Sequence, residues 1–442
     1  MAKTDVDIEE LRCNDSETSY PDLTDQVQEG SWQAWLQVLM AFLVSFTTHG
    51  LQNCFGSFQY HYEAAFPEHS AAGVAWIGTL QCLLASLTGV FSGRAFDRGY
   101  FKSLIAVGAI LQVSGLVLTS FATSFRVPFL TLGVLVGVGS GIMYTPCMAV
   151  LAHWFHDRYP LASGVASTGQ CLGGMIYPVL LKNLSETYGF SWTCRGFAIF
   201  NACLFSLVFV LAKAKAKAPH YQVEKDDMVD KTATKDVSFW LFATCVFLAV
   251  SQVDTPLFYF PELIGERLGT ADTWGYYLLA ILNSGSLVGS VSLGLFTRSK
   301  ACIRIWGFSI LGCTILLFCW FLLRDLASMI TWGLLFGLCD GGMMALLAPA
   351  LLTISPDRDV VGHRLGIIAV FDGLGYLIGP PVTGALRESA GGYMAVSLFG
   401  GGIYASAVSI VALICLRYPG QISTLEKKSL SVSTTSSEAS PQ

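Results

Sequence analysis

The sequence predicts an all-α membrane protein with twelve transmembrane helices arranged as two six-helix halves and both termini in the cytoplasm. Three observations lead there. First, 53% of the 442 residues are hydrophobic and only 13% are charged, about half the charged share that wets a soluble surface. Second, the apolar residues fall in twelve runs, each near the 20 or so residues that cross a bilayer. None shows the ten-residue alternation of a membrane barrel strand. Third, the chain repeats itself. Ser86, Leu87, Gly89, Ser92, Phe96 and Arg98 recur 200 residues later as Ser286, Leu287, Gly289, Ser292, Phe296 and Arg298. Gly141, Met143, Asp157 and Arg158 recur as Gly341, Met343, Asp357 and Arg358. After a two-residue slip, Gly164, Gly173, Ile176 and Pro178 recur as Gly366, Gly375, Ile378 and Pro380.

The basic residues set the orientation. About 20 of the 26 lysines and arginines lie in the tails and in the loops on the N-terminal side of the membrane, which the positive-inside rule assigns to the cytoplasm. The net charge of −5 comes from the acidic N-terminal tail and central loop, so it describes no binding face and leaves no nucleic-acid footprint. The thirteen cysteines sit almost entirely within apolar runs, a pattern of small buried hydrophobes without disulfide or zinc spacing. No metal site, nucleophile motif or phosphate loop is present, so neither an enzyme nor a cofactor is expected.

In chain order, residues 1–30 read as a disordered cytoplasmic tail with no signal-peptide core. The N-terminal half, 31–212, opens with EGSWQAW, whose tryptophans sit at headgroup level. Its spans are expected near 35–59, 73–93, 102–121, 127–151, 160–182 and 193–212. The first carries His49, Gln52 and Asn53 at bilayer depth. Residues 213–236 form a charged cytoplasmic linker too short to be a domain. The C-terminal half, 237–418, has expected spans near 237–259, 273–297, 303–323, 327–352, 363–386 and 393–416. Residues 419–442, rich in serine and threonine, read as a second disordered tail. Asn183 begins a glycosylation sequon on the outer side, close to the membrane.

The loop GVFSGRAFDRGYFK after the second span carries a glycine, an acidic residue four positions on and clustered bases: Gly93, Asp97, Arg98 and Lys102. It resembles the signature loop of the major facilitator superfamily, where such residues bridge helix ends and hold one conformation of a rocking pair of domains. EGSWQAW, AWIG, DRGYF, GIMYTP, SGVASTGQCLGGMIYP, GFSWTCRGF and GLGYLIGPPVTGAL narrow the resemblance to fungal members of the monocarboxylate-porter family. That resemblance implies two six-helix bundles around a central cavity that opens alternately to either side without ATP. It also implies a carrier that works as a monomer, with a small organic compound as its partner and a proton or other ion gradient as the energy source. The plasma membrane is the expected location, with a vacuolar or other internal membrane as the alternative.

The departures from the family pattern bear on the substrate. Members that carry lactate-like acids fix the carboxylate with a lysine in helix 1 and an aspartate and arginine in helix 8; those positions fall at about Asn53, Ser286 and Ser290. With all three uncharged, the reading moves toward export of a bulky or weakly charged secondary metabolite, with an organic acid as the other exported cargo in view. Proton-linked uptake of monocarboxylates or of a riboflavin-like nutrient, and a non-transporting nutrient sensor, stay open. The expected substrate-cavity residues are His49, Asn53, Tyr144, Gln170, Tyr177, Tyr259 and Asn283. Arg195 is weighed as an anion lure against a cap for loop acids such as Glu186, and the cap is preferred.

Asp254, Asp340 and Asp372 are the proton-coupling candidates, since a charge at bilayer depth costs on the order of 3 kcal/mol and is kept for a cavity or a partner. Asp340 lies about 21 Å down helix 10 from Leu326. For Asp254 the alternative is a helix-end carboxylate, because Thr255 and Pro256 follow it and suggest a break.

Overall fold

The computed structural model describes residues 31–155, 158–213, 236–269, 271–296, 302–354 and 361–417. The expected tails, most of the linker, and Asp157, Asp357 and Arg358 lie outside the described residues, as does the side chain of Asp97. Every long element is helical, as a bilayer requires of any chain that does not close into a barrel.

The helices are α1 Trp32–Ala65, α2 Ala71–Asp97, α3 Phe101–Thr119, α4 Arg126–Trp154, α5 Tyr159–Tyr188, α6 Phe190–Leu211, α7 Val237–Leu268, α8 Ala271–Phe296, α9 Cys302–Phe318, α10 Leu326–Ile354, α11 Val361–Glu388 and α12 Gly392–Arg417. Eleven of these are long and apolar enough to span a membrane. The exception is α5, at the fifth expected span. It is 30 residues long, but its serines, threonines, glutamine and four glycines lower its hydropathy. The reason is positional: α5 packs against α1 within its own half and against α8 of the other half, so protein rather than lipid covers it.

The same logic sorts the remaining helices. In α1 and α7, 67% of the most apolar window is buried inside the protein, against 33% in α3, α6 and α12. The large exposed hydrophobics Ile110, Val210, Phe308 and Leu416 belong to α3, α6, α9 and α12, the outer helices that face lipid.

The repeated glycines mark where the duplicated helices cross. A Cβ on Gly141 would lie 2.1 Å from the carbonyl oxygen of Ala85, and one on Gly341 would lie 2.0 Å from that of Ser286. Thus α4 crosses α2 as α10 crosses α8, with no room for a side chain at either crossing. Likewise Gly173 meets the Phe46 carbonyl and Gly375 that of Phe247, so α5 lies on α1 as α11 lies on α7. The halves then join through α2 with α11 and α5 with α8.

Polar locks fix the helix ends near the chain's tails, called here the proximal end. Gln37 donates to the Leu211 carbonyl at 3.0 Å and accepts from Lys213 N at 3.1 Å, tying the start of α1 to the end of α6. Asp236 caps α7 by accepting from Ser238 N and Phe239 N. It also pairs at 2.7 Å with the fully buried Arg364 of α11.

The helix-end alternative for Asp254 is overturned. Pro256 does not end a helix: α7 continues for 32 residues through Pro256 and Pro261, because neighbouring helices supply the packing that tolerates proline within a span. Asp254 is therefore mid-helix and buried, and is not a carboxylate at a helix end.

Candidate functional site

Midway along the helices, both halves turn polar side chains toward one cavity of about 90 Å³. From the N-terminal half come His49, Gln52 and Asn53 of α1, Cys82 and Ser86 of α2, and Gln170 and Cys171 of α5. From the C-terminal half come Asp254 of α7, Asn283, Ser286 and Ser290 of α8, Asp340 of α10, and Asp372 and Tyr376 of α11. All three aspartates expected from the sequence thus line this one cavity, from three different helices. Among the described lining residues none is lysine or arginine.

Each carboxylate accepts one neutral hydrogen bond among the described residues. The Cys82 thiol donates to Asp254 at 3.6 Å, the Ser86 hydroxyl to Asp372 at 3.3 Å, and the Ser286 hydroxyl to Asp340 at 3.3 Å. These are long contacts; hydroxyl donors usually approach to about 2.7–2.8 Å. Ser86 and Ser286 are repeat counterparts, so one duplicated serine serves two aspartates, across the halves in one case and within a half in the other. Gln170 and Asp372 are also counterparts, at the same two-residue slip as the glycines around them. The duplication therefore supplied the frame, and one copy of this position carries charge.

A third hydrogen bond across the halves joins α1 to α8 at the cavity. Asn53 Nδ2 donates to Asn283 Oδ1 at 3.3 Å, and Asn283 in turn donates to the Leu279 carbonyl at 3.0 Å. Asn283 also lies against Gly174 of α5, where a Cβ would fall 2.2 Å from its Oδ1.

Three of the seven expected cavity residues do other work. Tyr144 does not line the cavity but packs at a tilt against the lining His49, with ring centroids 3.9 Å apart and planes inclined by 52°. Tyr177, fully buried, donates its hydroxyl to Asn201 at 2.5 Å and packs on Phe46 and Phe197; it joins α5 to α6. Tyr259 donates to the Pro380 carbonyl at 2.8 Å and joins α7 to α11. A tyrosine in a span needs a partner for its hydroxyl, and sequence alone does not say whether that partner is cargo or a neighbouring helix. Conversely, Cys82, Cys171 and Tyr376 line the cavity without a sequence pattern that marks them for it, and Gln52 is marked only as a polar residue at bilayer depth. For Ser86, which also lines it, the repeat spacing was the available signal.

The end opposite the tails, the distal end, is shut between the halves. Gly56 of α1 rests on the Leu257 carbonyl of α7, Phe55 lies 4.7 Å from Phe258 between ring centroids, and Gly384 of α11 abuts the backbone of Ala72. Charge joins the same surface: Arg387 of α11 pairs with Glu262 of α7, with Glu266 at 3.6 Å, and across the halves with Glu63 at 3.6 Å. Ala71 N, at the start of α2, donates to Glu388 at 2.7 Å. At the proximal starts of α5 and α11, by contrast, the repeat counterparts Gly164 and Gly366 face open space.

Of the remaining expected residues, Arg98 ends α2, exposed to solvent, and Lys102 lies over the Phe209 ring. A Cβ on Gly93 would lie 3.7 Å from the Thr145 methyl, an ordinary contact. Arg195 neither caps Glu186 nor faces the cavity. It donates to Ser120 at 3.1 Å and stacks on Phe121 and Trp192, while Lys182 pairs with Glu186 at 3.8 Å. A lysine one helical turn away in the same helix reaches that acid more directly than an arginine on the next helix. Asn183 is exposed near the end of α5.

Residues 34–348 match the family model described as Major Facilitator Superfamily. The MFS-type transporter pynF of Aspergillus niger is 31% identical over 368 residues, covering 82% of this chain and 83% of that protein. The MFS-type transporter dbaD of Emericella nidulans is 30% identical, over 88% of this chain and 86% of its own length. The aspyridones efflux protein apdF of the same organism is 29% identical, over 84% of this chain and 75% of its own. These similarities carry the superfamily and fungal transporters, and do not reach the narrower monocarboxylate-porter resemblance.

Proposed function

The chain belongs to the Major Facilitator Superfamily, and from that premise we propose that it is a secondary-active exporter of a small organic secondary metabolite in a fungal cell. The observation that carries this reading is the polar cavity at mid-helix, walled by both halves and sealed at the distal end. A compartment of that kind suits cargo handed from one side to the other by rocking the halves. Its free volume of about 90 Å³ is far below the roughly 300–1,000 Å³ of pockets that bury a drug-sized ligand, so the halves must separate to admit a bulky product.

The efflux function named for the aspyridones protein supports export over uptake of a monocarboxylate or a riboflavin-like nutrient. A non-transporting sensor has no observation in its favour. The working form we propose is a monomer of twelve spans with both termini in the cytoplasm, residing in the plasma membrane. In it, 31–212 and 237–418 move against each other and the Gly93, Asp97, Arg98 and Lys102 loop steadies one conformation. The narrower monocarboxylate-porter kinship rests on the sequence strings alone. Protease added outside intact cells should spare tags at both Met1 and Gln442; cleavage of either refutes that topology.

Export is driven, in this reading, by protons that occupy Asp340, Asp372 or Asp254 in one conformation and leave in the other. His49, Cys82, Cys171 and Tyr376 are the other titratable groups facing these carboxylates across the cavity. The decisive experiment deletes the gene in a producing strain and profiles cells and medium. The expected result is a product retained in the cells and depleted outside, restored by the parent gene. Unchanged partitioning of every metabolite refutes export. Product efflux that ignores a protonophore, in parent and in Asp340→Asn and Asp372→Asn variants alike, refutes the coupling.

A further inference from the structure

We infer that the cavity recognises an organic cation, a protonated amine with a hydrogen-bond acceptor beside it. This rests on the transporter reading above and narrows its cargo.

Charge points first in that direction. Asp254, Asp340 and Asp372 reach one small volume from α7, α10 and α11, and no lysine or arginine stands among the described lining residues. Their described partners are one thiol and two hydroxyls at 3.3–3.6 Å, whereas an ionised carboxylate offers about four acceptor sites. A charge held at this depth needs a counter-charge, and a cationic cargo supplies it. An anionic cargo meets only like charge. The positions where small-acid carriers place their cations are here Asn53, Ser286 and Ser290, all three of which line the cavity.

Two orphaned atoms are the independent observation. Asp340, 7% exposed, leaves Oδ1 without any hydrogen-bond partner, and Gln52, also 7% exposed, leaves Nε2 unpartnered. Both residues line this cavity. A buried polar atom without a partner costs about 1–3 kcal/mol, so such a pair persists where a ligand completes it. One atom accepts and the other donates, and they come from opposite halves. The complement is an N–H⁺ donor for Asp340 and a carbonyl or ether oxygen for Gln52.

The ion is organic and not a metal. Among the described residues no three His, Cys, Asp or Glu side chains converge to hold a metal ion. Size agrees: about 90 Å³ is the share of about three waters in the liquid, room for an ammonium head and its neighbouring oxygen. The remainder of the cargo enters as the halves part. Because cation and proton meet the same carboxylates, one leaves as the other binds, which is exchange.

The test measures equilibrium binding by fluorescence anisotropy on the full chain in lipid nanodiscs. The probe is a fluorescent aryl amide bearing a tertiary amine, compared with two isosteres in which the amine is replaced by a carbon branch or by a carboxylate. The amine is expected to bind at least tenfold tighter than the carbon isostere, and the carboxylate weakest of the three. Asp340→Asn should reduce the amine preference below threefold without changing affinity for the carbon isostere or the thermal unfolding midpoint. Gln52→Leu should weaken the amide-bearing amine and spare an amine lacking the carbonyl. A carboxylate bound as well as the amine, an amine preference absent in the parent, or a preference that survives Asp340→Asn overturns the inference. Gene deletion separates this from the reading beneath it. If product is retained in deleted cells while the amine shows no preference, export stands and the cation claim falls.

Discussion

Removing Arg387 should bias the transporter toward opening at its distal end, and the structure sets how far. Arg387 is mostly buried, its side chain 19% exposed, and it faces Glu262 at 8%, Glu63 at 17% and Glu266 at 52%. Exposed ion pairs contribute about 0.2–1 kcal/mol, while breaking a buried one costs about 3–5 kcal/mol; this site lies between. Only the part that differs between conformations moves the equilibrium. Glu262 and Glu266 share the C-terminal half with Arg387 and keep their pairing in either state. Glu63 sits on the other half, so its contact is lost on opening. The differential is then one half-buried pair, about 1–2 kcal/mol, or roughly a 5–30-fold shift at 1.36 kcal/mol per decade.

The assay uses the two thiols of the cavity, Cys82 and Cys171. A membrane-impermeant maleimide is added to the distal side of oriented proteoliposomes, and labelling at each site is read by mass spectrometry. Arg387→Gln should raise the rate by roughly 5–30-fold, and Glu63→Gln should do nearly the same. Glu266→Gln, whose pair lies within one half, should leave it near the parent value. Equal effects of Glu63→Gln and Glu266→Gln, or an unchanged rate in Arg387→Gln at normal folding, would refute the assignment of this cluster as an interdomain clamp.

Gly341→Ala places a Cβ 2.0 Å from the Ser286 carbonyl, so α8 and α10 must part; a loss of about 1–3 kcal/mol from overpacking should lower the detergent unfolding midpoint and surface abundance together. Tyr177→Phe strands the Asn201 side chain and should cost about 1–3 kcal/mol of stability with the substrate KM unchanged; a selective rise in KM would return Tyr177 to the cavity. Asp97→Asn should reduce flux at nearly unchanged surface abundance, and falling abundance instead would assign that residue a structural role only. Asn53→Leu and Asn283→Leu each break the contact at the cavity and should alter flux equally; independent, additive effects would show that the two residues do not act as a pair.

How much of this was legible in the chain depends on the range of the interaction concerned. Helices and their lengths follow from local hydrophobicity, because each backbone must satisfy its own hydrogen bonds in lipid. The crossings of α2 with α4 and of α8 with α10 were prefigured by Gly141 and Gly341, since a repeated glycine marks a contact used twice. The three cavity aspartates were visible because a carboxylate in an apolar run needs a reason. The sequence did not decide which neighbour each polar group meets. Tyr177 and Tyr259 look like Tyr144 in one dimension, yet helix packing gives the first two partners on α6 and α11 and leaves the third beside His49 at the cavity. The mid-helix position of Asp254 was obscured by the proline that follows, which breaks a helix in water but is carried through in α7 by the helices around it. The weak apolarity of α5 could not reveal that protein covers it on two sides. The clamp of Arg387 joins side chains on three helices, more than 300 positions apart at the extreme, and only the closure of one half on the other brings them within reach.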